Sequence, residues 1–174
     1  MVDTEPGPPL TVGDLAADAV ATGRKRWLAA HPGPWLVELG LGETTGGFRT
    51  LEQSPTASTP TSLRLRRDAR AWTVRKRTKL FPDRVLIGRA PNNDIVIPDV
   101  NVSKLHAYLT LASDACLLAD AGSTNGTFVE ERRIGAGATV RLAGPAVVRL
   151  GRSAVVLFVT SAGLWDLIQG GLSG

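Results

Sequence analysis

Residues 102–111 read VSKLHAYLTL, and this stretch poses the question on which the whole chain turns. Its first half brings together a hydroxyl (Ser103), an ammonium (Lys104) and an imidazole (His106). From His106 onward apolar and polar residues alternate, as in a strand with one buried face. Polar chemistry set at a strand entry either acts on a substrate or holds a ligand.

The same texture extends on both sides. WTVRK (72–76), RVLIG (84–88), DIVI (94–97), ACLLA (115–119), TFVEE (127–131), ATVRL (138–142), AVVRLG (146–151) and AVVLFVT (154–160) are short β-branched runs. Gly, Asn or Asp punctuates them, and no long helical pattern intervenes. Such a series predicts a mainly β domain, a sandwich or barrel. SAGLWDLI (161–168) fits a short amphipathic C-terminal helix with Ser161 as its cap.

Composition bounds the function. The chain has 174 residues, 43% apolar and 21% charged, enough for one packed domain and an extension. Its formal charge is +4, which suits an anionic partner without naming one. The single cysteine, Cys116, lies in an apolar run and reads as a buried, inert thiol; no intramolecular disulfide is available to it. The N-terminus, MVDTEPGPPL, lacks the basic and apolar regions of a signal peptide. The longest uncharged apolar stretch, SAVVLFVTSAGLW, is too short to span a bilayer as a helix. A cytoplasmic protein without membrane contact is expected.

Three inter-strand segments concentrate the chemistry: GRAPNND (88–94), DVNVSKLHA (99–107) and DAGSTNGT (120–127). Loops at one end of a sandwich converge although they are distant in sequence. Together they offer the Arg89 guanidinium, the Ser103 and Thr124 hydroxyls, the Lys104 ammonium and the Asn125 amide. These are mostly donors, with no carboxylate pair and no metal-ligand cluster. Such a set suits an oxyanion, and the planar fork of arginine suits phosphate especially.

In this order GR, NDIVI, VSKLHA and D-GSTNGT resemble the forkhead-associated (FHA) domain, a reader of phosphothreonine peptides, over about Trp72 to Ile168. The likeness extends to small FHA proteins of myxobacteria and actinobacteria. It implies a sandwich of about eleven strands with its ligand at the loop end. Position by position, it implies that Arg89 and Ser103 bind phosphate with Thr124 assisting, that Lys104 touches peptide or phosphate, and that Asn125 holds the peptide backbone. Gly88, His106 and Gly126 are implied as framework residues. Ser123 and Thr124 compete for one role, and only Thr124 directly precedes Asn-Gly.

The rival readings are weaker on the residues. Ser103, His106 and Asp120 invite a hydrolase, but no G-x-S-x-G elbow occurs. GSTNGT lacks the G-K-[ST] ending of a nucleotide loop, and Asn-Gly alone is a turn signal. Asn93 and Asp94 read as a turn end. The expected protein is therefore a non-enzymatic adaptor without metal or cofactor, whose partners are phosphothreonine-containing proteins such as a Ser/Thr protein kinase or its substrates. The alternative partner is nucleic acid or an acidic protein, bound through residues 64–79, where eight Lys/Arg face one Asp. Trp72 is the one stacking partner there, so nucleic acid is the less favoured of the two.

The N-terminal third is less legible. Residues 1–10 read as a disordered tail. Residues 11–50 read as a helical segment of unassigned role, with Leu15, Ala19, Val20, Trp27 and Leu28 at helical spacing. Thr11 with Asp14 resembles a capping box, RKR (24–26) would sit near the helix C-terminus, and HPGP (31–34) stops the helix. WLVELGL (35–41) could form one short strand. Residues 51–71 read as a linker, Ser/Thr/Pro-rich and then basic. The domain proper is expected over 72–168, with a tail at 169–174. ETTGGFR (43–49) is similar to a phosphosite ahead of the FHA domain in small actinobacterial regulators, whose phosphorylated segment folds onto its own domain. Thr44, Thr45, Thr56, Thr59 and Thr61 are accordingly candidate phosphosites for occupying the pocket in cis.

Overall fold

A computed structural model describes residues 9–40 and 63–172. Residues 1–8 of the tail expected at 1–10, ETTGGFR and all five candidate threonines lie outside the described residues, while Leu10 of that tail instead pairs with Ala71 in a sheet.

Nine of the elements are the strands expected from the alternating runs. They are β3 (Arg70–Thr73), β4 (Val85–Gly88), β5 (Ile95–Val96), β6 (Ala107–Leu111), β7 (Cys116–Asp120), β8 (Thr127–Val129), β10 (Thr139–Leu142), β11 (Ala146–Leu150) and β12 (Ala154–Thr160). β1 (Leu10–Thr11), β2 (Pro34–Leu39) and β9 (Arg132–Arg133) complete two sheets. One has seven strands in the order β1-β3-β2-β12-β11-β8-β9; the other has five, β10-β7-β6-β4-β5. This is the mainly β sandwich expected. The twelve described strands include three of only two residues, and all neighbours are antiparallel except β4 and β5.

Two cores explain the long apolar run at 154–160. Val156 and Phe158 of β12 face the inter-sheet core with Leu36, Trp72, Ile87 and Leu109. Val155, Leu157 and Val159 face the opposite way, into a second core with Leu15, Trp27, Trp35 and Leu164. Helices α1 (Val12–Thr22), α2 (Arg24–Ala30) and α3 (Ser161–Gln169) cover that outer face. A strand buried on both faces loses its alternation, because neither set of side chains meets water.

Several expectations need correction. The described residues 11–40 are not a helical segment apart from the sandwich: β2 hydrogen-bonds between β3 and β12, pairing Leu36 with Trp72 and with Phe158. Nor are the described residues 63–71 a linker, since Leu63, Leu65 and Ala69 are buried in the outer core and β3 begins at Arg70. The capping box at Thr11 and Asp14 is present, but the helix breaks at Gly23, where φ is 72°. RKR therefore opens α2, at the positive pole of that helix rather than the negative one. Val20 is 86% exposed and belongs to no core. At α3 the cap is Thr160, whose hydroxyl accepts from Gly163 N–H, while Ser161 donates to the His31 and Gly33 carbonyls. Within the basic block, Arg66 pairs with Asp68, Arg70 with Glu38 and Lys76 with Asp94.

No helix among the described residues is long and apolar enough to cross a membrane. Cys116 is buried, and burial pushes its thiol upward.

Candidate functional site

The loops after β4, before β6 and after β7 meet at one end of the sandwich. Gly88 closes the first of these contacts. A Cβ there would lie 2.3 Å from the Lys104 carbonyl oxygen, so only glycine lets the two segments touch. Arg89 N–H then donates to Ser103 O at 2.9 Å and Ala90 N–H to Lys104 O at 3.1 Å. The Asn93 amide donates to Ala90 O and Lys104 O, both at 2.7 Å.

His106 joins the second loop to the third. Its Nδ1 accepts the Ser103 N–H at 2.9 Å, and its Nε2 lies 3.1 Å from Gly126 O. Since a backbone N–H can only donate, the proton must sit on Nε2, which donates to Gly126. The ring is fully buried, and burial holds its pKa below 6.5 against the opposing effects of Gly126 and Asp120. His106 is thus a neutral brace between loops, without contact to the cavity described below. The sign of its linkage follows. A depressed folded pKa favours the folded state above 6.5, and that contribution is lost as pH falls. Thermal midpoints measured against pH should begin to decline below about 6.5, and His106→Gln should remove this first phase of the decline.

Asp120 organises the third loop and engages Ser123 there. It accepts from the Gly122 and Ser123 N–H groups and from the hydroxyls of Ser123 and Thr127, at 2.6–2.9 Å. Burial opposes its ionisation, but these donors outweigh burial and lower its pKa. Ser123 Oγ also accepts Gly126 N–H at 2.9 Å, so it is committed to the turn. Thr124 N–H donates to Ser103 Oγ at 3.1 Å, and the Thr124 side chain is exposed at the opening.

The result is an open cavity of about 450 Å³ lined by Arg89, Ser103, Lys104, Thr124 and Asn125, all five residues singled out from sequence. Val100, Asn101, Val102, Leu105 and Gly122 also line it. The lining holds two cations and no carboxylate, and neither Arg89 nor Lys104 has an ion-pair partner among the described residues. Arg89 Nε donates to Val102 O at 3.2 Å, which aims the fork and leaves its terminal nitrogens to donate elsewhere. Ser103 Oγ accepts one bond and keeps its own proton to give.

Asn101 was not singled out from sequence. Its carbonyl accepts the Asn125 amide at 3.0 Å, and its own amide donates to Ser153 Oγ at 2.9 Å. Ser153 in turn donates to Asp99 Oδ2 at 2.7 Å. At Gly151, where φ is 70°, a Cβ would come within 2.3 Å of Asn101 O. Asn125 is therefore fixed by a chain reaching to the β11–β12 turn. Nothing but position, two residues before Ser103, could have marked Asn101.

The loops at one end of a two-sheet sandwich thus gather hydrogen-bond donors and two cations around an open cavity. Residues 85–151 match the FHA domain. Over 81 residues it is 35% identical to the FHA domain-containing protein FhaB of Mycobacterium tuberculosis, covering 47% of this chain and 51% of that protein. The chain thus spans about half the length of this curated relative. Among solved structures, the FHA domain of an Arabidopsis thaliana hypothetical protein aligns over 82% of this chain and 88% of its own, at 21% identity and a TM-score of 0.49. Mycobacterium tuberculosis EmbR in complex with a low affinity phosphopeptide aligns over 45% of this chain and 20% of its own, at 29% identity and a TM-score of 0.41.

Proposed function

We propose that this protein binds phosphothreonine-containing segments of partner proteins through the loop-end cavity, as a non-catalytic adaptor of cytoplasmic Ser/Thr kinase signalling. The observation that carries the reading is the gathering of Arg89, Ser103, Lys104, Thr124 and Asn125 around one cavity with two unpaired cations and no acid. A phosphate dianion there receives the Arg89 fork, the Ser103 hydroxyl and the Thr124 hydroxyl, with Lys104 adding charge at the rim. Asn125, held by Asn101, presents its amide to the peptide main chain.

A phosphopeptide array probed with the full chain tests this reading directly. Binding confined to phosphorylated spots supports it; binding to none, or equal binding to unphosphorylated spots, overturns it. Phosphothreonine should be preferred to phosphoserine, because Val100, exposed among the lining residues, offers an apolar contact for the γ-methyl. One buried methyl contributes about 0.8 kcal/mol, roughly fourfold in affinity. Equal dissociation constants for matched peptides would remove that preference.

A further inference from the structure

A second cavity, of about 370 Å³, lies on the outer face of the seven-stranded sheet, where β1, the end of α2 and strands β2 and β3 meet. Its lining includes Leu10, His31, Trp35, Thr73, Arg75 and Arg77. It stands apart from the loop cavity. Leu39 pairs with Val155, beside Ser153 of the loop-end network, whereas Trp35 pairs with Val159, four residues further along β12. At about 3.3 Å per residue that is roughly 13 Å along the strand.

Two features set this cavity apart from an ordinary surface dimple. The first is a pair of buried polar atoms without hydrogen-bond partners, Trp35 Nε1 and Thr73 Oγ1. Trp35 is fully buried, and the register places the two residues opposite each other on neighbouring strands. The fold satisfies its other fully buried indole: Trp27 Nε1 donates to Leu15 O at 3.0 Å. Buried donors are nearly always paired with protein, water or ligand, so two unpaired polar atoms on residues that line a cavity mark a place for such a partner. The second feature is charge. Arg70 and Lys76 of the basic block have carboxylate partners, while Arg75 and Arg77 have none among the described residues. Burial and then the neighbouring Arg75 charge depress Arg77, against the pull of Asp94. His31 forms part of the wall, with its Nε2 already 2.8 Å from Asp18 Oδ2.

We propose that this cavity is a second binding site, for a small organic oxyanion such as a carboxylate or a phosphate monoester. Its anionic group sits between Arg75 and Arg77, and its acceptor oxygens take the Trp35 indole N–H and the Thr73 hydroxyl. The volume falls in the range of small-molecule sites and exceeds what a bare ion needs. Trp35 can only donate, so the ligand must carry an acceptor.

The indole N–H is its own reporter. In ¹⁵N-labelled full-length protein the Trp35 cross-peak is assigned with Trp35→Phe or, should that variant not fold, from its nuclear Overhauser contacts to Thr73. Succinate, glycerol 3-phosphate and inorganic phosphate are titrated separately, in an Arg89→Ala background so that phosphate cannot report through the loop cavity. The expected result is a saturable shift of the Trp35 peak with at least one organic anion, with the responding arm identifying carboxylate or phosphate. The double variant Arg75→Ala/Arg77→Ala should weaken this binding at least about tenfold and, made in the protein that retains Arg89, leave phosphopeptide binding intact. The proposal is overturned if no probe moves the Trp35 peak at millimolar concentration, if inorganic phosphate alone moves it, or if the double variant responds as strongly as its parent. Each result is independent of the loop-end cavity, which the phosphopeptide array tests separately.

Discussion

Arg89→Ala is expected to weaken binding of a phosphothreonine peptide about ten- to a hundredfold while leaving the fold intact. The guanidinium is exposed and makes one side-chain hydrogen bond among the described residues, from Nε to Val102 O. Its loss therefore costs little stability. In the complex the same group supplies a charge-assisted, two-pronged contact to phosphate, worth roughly 1.5–3 kcal/mol. Arg89→Lys sharpens the test, since it keeps the charge and loses the planar fork, so its affinity should fall between the two. Raising the ionic strength should narrow the gap between wild type and Arg89→Ala, because part of the lost attraction is screened. Calorimetry with one phosphorylated peptide and its unphosphorylated twin measures all of this. An Arg89→Ala protein that binds the phosphopeptide as tightly as wild type would remove Arg89 from the site.

The parts of this molecule that sequence reveals are those whose physics is local. β3 to β8 and β10 to β12 announce themselves because alternation and turn residues lie within a few positions of one another. β2 shows in the sequence only as the short strand of WLVELGL, and its place in the sheet does not show, because it pairs with β3 across more than thirty residues of chain. The break at Gly23 is hidden because a 3.6-residue pattern runs on through it, so a basic triplet is assigned to the wrong helix pole. The five cavity residues were legible as donors on converging loops. Asn101 and its support were not, since the partners Asn101–Ser153 and Asp99–Ser153 lie 52 and 54 positions apart. Asn93 and Asp94 looked like the end of a turn and proved to be deeply buried hydrogen-bond centres, 3% and 2% exposed. Trp35 and Thr73, each unremarkable in its own strand, come together only through sheet register.

Asp94→Ala should be among the most destabilising single changes in the domain. The carboxylate is buried and accepts four bonds: from Arg77 N–H at 2.7 Å, Thr78 N–H at 2.6 Å, and Leu86 N–H and the Lys76 ammonium at 2.7 Å each. It pins residues 76–78 against the start of β4. Removing it leaves the Leu86 amide unpaired in the interior and Lys76, 24% exposed, without its counter-charge. The expected loss is about 3 kcal/mol, which for a chain of this size lowers the thermal midpoint by roughly 6–12 °C. Asp94→Asn should not rescue it, because an amide turns an N–H₂ toward groups that themselves donate. Burial opposes ionisation of Asp94, but the Leu86, Lys76, Thr78 and Arg77 donors outweigh it and hold the folded pKa below 3.8. Its contribution is thus present above 3.8 and lost as pH falls through the folded value, so the acid limb of the stability curve should be shallower in Asp94→Ala. Thermal melts across pH measure both effects. The pattern is the reverse of that for Arg89→Ala, with stability lost and affinity kept in the fraction that remains folded. A folded Asp94→Ala protein with wild-type stability and reduced phosphopeptide affinity would instead place Asp94 in the binding site.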